Sequence, residues 1–158
     1  FEATSTLHDF TGTAPVEPFP VSVVQEGDFA LLEGTAAVAV AQMDTRHAKR
    51  DANLRKTFAA ERYPLIIGTV APIRIDLNTP PPSIPIQLTI CERTRTVPAT
   101  VSNWQSEEGF YRFELTLSLS LQAFALEPPV ILGFIRVGDA VVVRARVQLA
   151  KPPGSARP

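Results

Sequence analysis

The chain has 158 residues, of which 45% are hydrophobic and 20% are charged, and its formal net charge is -1 at pH 7. This balance excludes an intrinsically disordered chain, and the near-neutral charge gives no general attraction for nucleic acid. No apolar run approaches the roughly 20 residues that a membrane-spanning helix requires. The length is typical of one domain, so we predict a single domain over residues 1–150 and a flexible C-terminal tail over residues 151–158.

The first part of the chain predicts short strands. Residues 1–10 and 19–25 are compatible with the first two strands, and residues 31–41 consist mostly of Ala and Val. Side chains alternate between the two faces of a strand, so Gly34, Ala36 and the valines that follow share one face of the third segment.

One segment predicts a helix instead of a strand. Residues 46–58 show no alternation and contain good helix formers, with Asp51 and Arg55 at a spacing that pairs opposite charges on one helix face. Asp44 and Thr45 lie where a helix N-cap is expected. We therefore predict one short α-helix over residues 46–58.

The second half of the chain predicts further strands. Residues 65–77 are apolar on both faces, so no inner face can be assigned to them. Residues 84–90 and 97–101 form two stripes that residues 92–95 join as a polar hairpin connection. The clearest alternation follows at residues 111–121 and again at 141–149. Many antiparallel strands with one helix fit either a β-sandwich or a closed β-barrel, and the pattern does not choose between them.

Few residues in the sequence suggest chemistry. His8 and His47 are the two histidines, and they lack a metal-ligand spacing. Cys91 is the single cysteine and falls on the outward parity of its strand, so we assign it no mechanistic role. Structural roles are expected for Asp44 and Asp51. No nucleophile or phosphate-binding motif is present, so we predict no catalytic residue, no metal site and no cofactor.

Basic residues cluster on the predicted helix. A solvated helix face is the simplest interpretation, and a transient electrostatic contact with an anionic membrane surface is the alternative. The cluster lacks interleaved aromatic residues, which argues against nucleic acid. Its members are Arg46, Lys49, Arg50, Arg55 and Lys56.

The segment that contains the helix resembles the signature of the YceI-like family, also called polyisoprenoid-binding, lipocalin-like proteins. Residues 1–12, 88–97 and 124–139 agree with other parts of the family pattern, so the resemblance covers nearly the whole chain. Two positions depart from it, because Cys91-Glu92 stands where many members carry His-Gly, and Gly68 replaces a common large aromatic. The signature comprises Asp44-Thr45, Arg50-Asp51, Leu54-Arg55, Phe58 and Tyr63-Pro64, in this order.

The resemblance implies an all-β fold, an antiparallel lipocalin-like β-barrel with one short α-helix. It further implies export to the bacterial periplasm, with the signal peptide absent from this chain, and a long apolar tunnel. We expect binding or carriage of an isoprenoid quinone, a polyprenyl chain or a fatty-acyl lipid, and no enzymatic activity. The residues expected to line the tunnel are Leu54, Phe58, Leu88, Ile90, Val101, Phe113, Leu115, Leu117, Val143 and Val147.

A second class of function stays open at this stage. A filled β-core has nearly the same sequence pattern as a ligand-lined tunnel. The alternative is therefore a packed barrel, an interaction or stress-response module that binds a protein partner through its surface. The oligomeric state is not predicted, although a dimer is compatible with either class.

Overall fold

The structure is a computed structural model that describes residues 1–6, 9–16, 19–128, 130–131 and 135–151. Apart from residue 151, the predicted tail lies outside the described residues. The α-helix α1 spans Ala48–Thr57, and 3₁₀ turns span Val40–Gln42 and Gln122–Phe124. Strands β1 to β10 span, in order, Glu2–Ser5, Phe10–Thr11, Val21–Glu26, Phe29–Ala39, Leu65–Asp76, Ser83–Ile90, Arg93–Glu107, Phe110–Ser120, Val130–Ile131 and Ile135–Ala150.

The strands form one antiparallel sheet in the order β2-β1-β10-β8-β7-β6-β5-β4-β3, with β9 paired to β10. This continuous path is open between β2 and β3. Two isolated bridges, Thr13 with Asp44 and Val16 with Val38, link the segment after β2 to β4 and to the chain beyond it. The predicted fold class, an antiparallel lipocalin-like barrel with a short helix, is confirmed.

The wall of the barrel has unpaired edges on one side. In the described part of the chain, β3 pairs with β4 alone, and β10 beyond Val142 pairs with β8 alone. Strand directions alternate along the path, so β3, β7 and β10 all finish at the same end of the barrel. We call this the open end, and we call the opposite end, where α1 follows β4, the helix end.

The inner face of the barrel carries the core. Residues of β8 at odd positions point inward, and the register places them opposite inward residues of both neighbouring strands. Leu117, for example, lies opposite Val143 on β10 and Ala99 on β7. The alternation of the sequence therefore becomes one buried and one exposed face, as the pleat of a strand requires.

A β-bulge interrupts β7 near the open end. The register shifts between Ser102 and Gln105, so that Asn103 and Trp104 together oppose Phe113. Asn103 has a φ of 53°, and its Nδ2 donates to Oε2 of Glu114 at 3.0 Å. The extra residue inverts the parity of the strand, and Trp104 packs against the core.

The turn between β6 and β7 differs from its prediction. Ile90 pairs with Arg93, so the connection is the two-residue turn Cys91-Glu92, and residues 93–95 already belong to β7. Both turn residues have positive φ, 46° and 64°, as a type I′ turn requires. The sequence does not indicate this turn, because neither position is Gly, Asn or Asp.

The helix is shorter than predicted and is capped by a different residue. It begins at Ala48 because Arg46, with a φ of 59°, cannot extend a right-handed helix. The N-cap is His47, whose Nδ1 accepts from the backbone N–H of Arg50, so the expected cap at Asp44 or Thr45 is wrong.

Candidate ligand site

The ten residues predicted to line a tunnel lie in one apolar region of the barrel. Each belongs to a single hydrophobic cluster or packs directly against it. The cluster draws on the inner faces of the central strands and on the C-terminal part of α1. A contact of these side chains with a ligand stays a prediction.

Half of these residues are fully buried. The inner face of β8 is closely packed, with Phe113 5%, Leu115 8% and Leu117 7% exposed. Phe58 closes the helix end of the cluster together with Ile90. This part of the interior has the character of a packed core.

The other half are partly exposed. Val143 and Val147 lie on the same face as Leu117 and Phe113, their partners on β8, but belong to the part of β10 that has one free edge. Val101, Leu88 and Leu54 are also only partly buried. The apolar region is thus partly exposed on β10 next to its unpaired edge, and also on β6, β7 and α1.

Trp104 is a residue of this interior that the sequence pattern missed. Its ring stacks on Phe113 with centroids 4.9 Å apart and on Tyr111 at 5.5 Å. Regular alternation from Val97 through Val101 assigns Trp104 to the outer face, and only the bulge at Asn103 turns it inward. One signal for this was available in the sequence, because the chain's one tryptophan falls at a position that the alternation assigns to the polar face.

The helix end carries a cleft of about 390 Å³ lined by Tyr63, Cys91, Glu92, Arg93, Phe124 and Ala125. The hydroxyl of Tyr63 donates to Oε2 of Glu92 at 2.9 Å. Partial desolvation and this bond both raise the pKa of Tyr63 above its ordinary value. Two polar side chains are thereby engaged with each other on one wall of the cleft.

Cys91 is not the outward-facing thiol that strand parity predicted. It lies in the turn, is partly buried, and its Sγ donates to the backbone carbonyl of Phe58 at 3.2 Å. Desolvation raises the pKa of the thiol, and the nearby carboxylate of Glu92 raises it further. A protonated thiol is a weak nucleophile, so this contact is structural.

A second cleft of about 400 Å³ lies on the outer side of β8 and β10, next to the free edge of β10. Glu114, Arg144, Ala145 and Arg146 line it, and Arg146 Nε is 3.6 Å from a carboxylate oxygen of Glu114. Arg144 also pairs with Glu2 on β1. These charged side chains are solvated and largely paired with each other.

The basic cluster on the helix is mostly a solvated face. Arg46, Lys49, Arg55 and Lys56 are exposed, whereas the guanidinium of Arg50 stacks 4.5 Å from the ring centroid of Phe10. Arg50 thus ties the helix to β2.

Two further observations apply to the described residues only. They contain no group of three or more His, Cys, Asp and Glu side chains placed to hold a metal ion, and His8 lies outside them. None of the described helices is long and apolar enough to cross a membrane.

The fold and its interior define an antiparallel lipocalin-like barrel with an apolar, partly accessible inside. A family model described as the YceI-like domain matches residues 2–149, and the chain belongs to this family. A search of curated protein sequences finds no match.

Solved structures agree with this assignment. BcnA of Burkholderia cenocepacia has a TM-score of 0.61 at 20% identity, with 84% of each chain covered. A YceI protein of Campylobacter jejuni has a TM-score of 0.63 at 14% identity, covering 93% of this chain and 88% of that one. A polyisoprenoid-binding domain from Saccharophagus degradans has a TM-score of 0.50 at 13% identity, covering 95% and 98%. At these identities the similarity shows a common fold.

Proposed function

We propose that this protein binds and carries a long apolar molecule, an isoprenoid quinone, a polyprenyl chain or a fatty-acyl lipid, inside its barrel. The observation that carries the proposal is the single apolar cluster, which is tightly packed along β8 and partly exposed along the free half of β10. Support also comes from the Saccharophagus degradans domain, which shares the fold and is described as polyisoprenoid-binding.

Burial alone supplies the driving force in this proposal. Each methylene removed from water contributes about 0.8 kcal/mol, so a chain of about ten buried carbons gains roughly 8 kcal/mol before ordering costs. The proposal assigns binding and carriage, with no chemical step.

Location forms part of the same proposal. Export to the bacterial periplasm would place the protein between two membranes that contain such lipids. The exposed basic side chains of α1 would support a transient contact with an anionic membrane surface, each contributing about 1 kcal/mol near that surface.

A packed barrel that acts through its surface is the second candidate. The burial of Phe113, Leu115 and Leu117 favours it, because side chains that already fill the interior leave less room for a ligand. Native mass spectrometry of the protein purified from bacteria without detergent distinguishes the two. A carrier retains a lipid adduct that organic extraction releases and identifies, whereas a packed barrel shows only the apoprotein mass, before and after incubation with added prenylquinone.

A further inference from the structure

Trp104 carries a buried hydrogen-bond donor that has no partner in the part of the chain that the structure describes. Its Nε1 is inaccessible to solvent and has no hydrogen-bond partner among the described residues. The aromatic rings of Tyr111 and Phe113 pack against the indole. A buried donor that makes no bond costs free energy, so a partner for this N–H is expected when the protein is in its working state.

The chemistry of the indole restricts what that partner can be. An indole N–H only donates, so its partner must supply an acceptor such as an oxygen atom. Gln25 has the other buried polar atom without a partner among the described residues, its Oε1. The nitrogen of the same amide already donates to the backbone carbonyl of Gly27 at 3.0 Å, so this side chain is engaged in the turn between β3 and β4.

The position of Trp104 also indicates how a bound molecule is oriented between the two ends of the barrel. Trp104 lies in the part of β7 near the open end, whereas Ile90 and Phe58 lie at the helix end. The apolar residues Leu115 and Leu117 lie between them on the inner face. A molecule with one oxygen-bearing head and one apolar chain matches this order.

We infer that the indole N–H of Trp104 donates a hydrogen bond to a carbonyl-type oxygen on the head of the bound molecule. The head lies at the open end and the apolar chain extends toward α1. This inference rests on the proposed function and narrows its ligand class, because a pure hydrocarbon would leave the indole unsatisfied. Quinone and ester heads both supply such an oxygen.

The test is a competition between three probes of known chemistry. Wild-type protein and Trp104→Phe are each incubated with equal amounts of a benzoquinone bearing a two-isoprene chain, methyl palmitate and hexadecane. The protein is then separated by gel filtration and its bound molecules are quantified after extraction. The substitution keeps an aromatic ring next to Phe113 and removes the donor. It also removes part of the indole ring system, and this loss of volume should affect all three probes alike, so the ratio between the probes reports the donor. We expect the oxygenated-to-hydrocarbon ratio to fall about tenfold in the variant.

Phe113→Leu serves as the matched control. It alters the wall next to Trp104 but keeps the indole N–H, so the affinities for all three probes should change together and their ratio should hold. If the quinone ratio alone falls in Trp104→Phe, the head is a quinone; if the ester ratio alone falls, it is an acyl ester.

Fluorescence provides a readout on the wild-type protein. Trp104 is the only tryptophan, so all indole emission comes from this site. A hydrogen bond to the indole should shift the emission maximum to longer wavelength with methyl palmitate and leave it unshifted with hexadecane. If Trp104→Phe fails to fold, this fluorescence measurement on wild-type protein tests the donor role of Trp104 instead.

The outcomes separate the inference from the proposed function. If wild-type protein binds the probes but Trp104→Phe keeps the same ratio, or the emission responds equally to ester and hydrocarbon, the donor role is overturned and carriage of apolar molecules stands. If wild-type protein binds none of the three, the proposed function fails and the inference fails with it.

Discussion

At the scale of single residues, Asp51 shows how one carboxylate can organise the chain around it. Its Oδ1 accepts from both the backbone N–H and the hydroxyl of Thr45, at 2.9 and 2.5 Å. Thr45 is a polar residue with only 5% exposure, so these bonds hold a buried part of the chain that enters α1. The sequence predicted a helix pair with Arg55, whereas the main partner is the loop before the helix.

We expect Asp51→Ala to lower the melting temperature by about 3 °C and to leave ligand preference unchanged. The physical reason is the loss of both bonds to Thr45, with the apolar interior left intact. Thermal denaturation measures the first effect, and the probe competition described above measures the second. Unchanged stability together with lost binding would place Asp51 in a ligand site.

The same carboxylate predicts a dependence on pH. The hydrogen bonds from Thr45, first from its hydroxyl and then from its backbone N–H, hold the pKa of Asp51 below its ordinary value of 3.8. A lowered folded-state pKa gives stability that is present above pH 3.8 and is lost as the pH falls through the folded value. The difference in melting temperature between wild-type protein and Asp51→Ala should therefore shrink below pH 3.8. An equal difference at pH 3 and pH 7 would contradict the assigned bonds.

At the scale of elements, the strands were predictable where pairing is regular. Phe113, Leu115 and Leu117 follow one parity and Arg112 the other, and a pleated strand converts that parity directly into faces. The inward position of Trp104 was not predictable, because one inserted residue reverses the parity and no nearby glycine marks the site. The proposed lining residues on strands were found by the same parity rule, and Leu54 and Phe58 by their spacing on the predicted helix. Both rules identify a face and not a ligand contact.

The β6–β7 turn gives a prediction at this scale. Glu92 has a φ of 64°, which costs a non-glycine residue about 1 kcal/mol relative to glycine. We therefore expect Glu92→Gly to be more stable than Glu92→Ala by about 1 kcal/mol. Both variants lose the bond from Tyr63, so this comparison isolates the backbone. Equal unfolding free energies in a urea titration would show that the turn does not adopt this conformation in solution.

At the scale of the whole molecule, function depends on how much of the barrel interior is filled by the protein's own side chains. The isolated bridges at Thr13 and Val16 tie the sheet near the helix end, while β3 and the last part of β10 keep free edges at the open end. Sequence alternation predicted the strands but not which edges stay unpaired, because pairing between distant strands depends on register and curvature. The volume inside the barrel likewise depends on how the strands assemble, so sequence alternation does not predict it.

Leu117 tests the interior directly because it sits midway along β8, opposite Val143 and Ala99. In a carrier, Leu117→Phe occupies volume that the ligand uses, so bound lipid should fall while the melting temperature stays close to that of wild-type protein. In a packed barrel the same substitution overpacks the core and costs about 1–3 kcal/mol.

Ser118→Phe is the matched control, since it adds the same ring to the exposed face of the same strand and should alter neither quantity. The two measurements are the melting temperature and the lipid released on denaturation. A sharp fall in melting temperature for Leu117→Phe, with no lipid released from wild-type protein, would contradict the carrier and favour a barrel that acts through its surface.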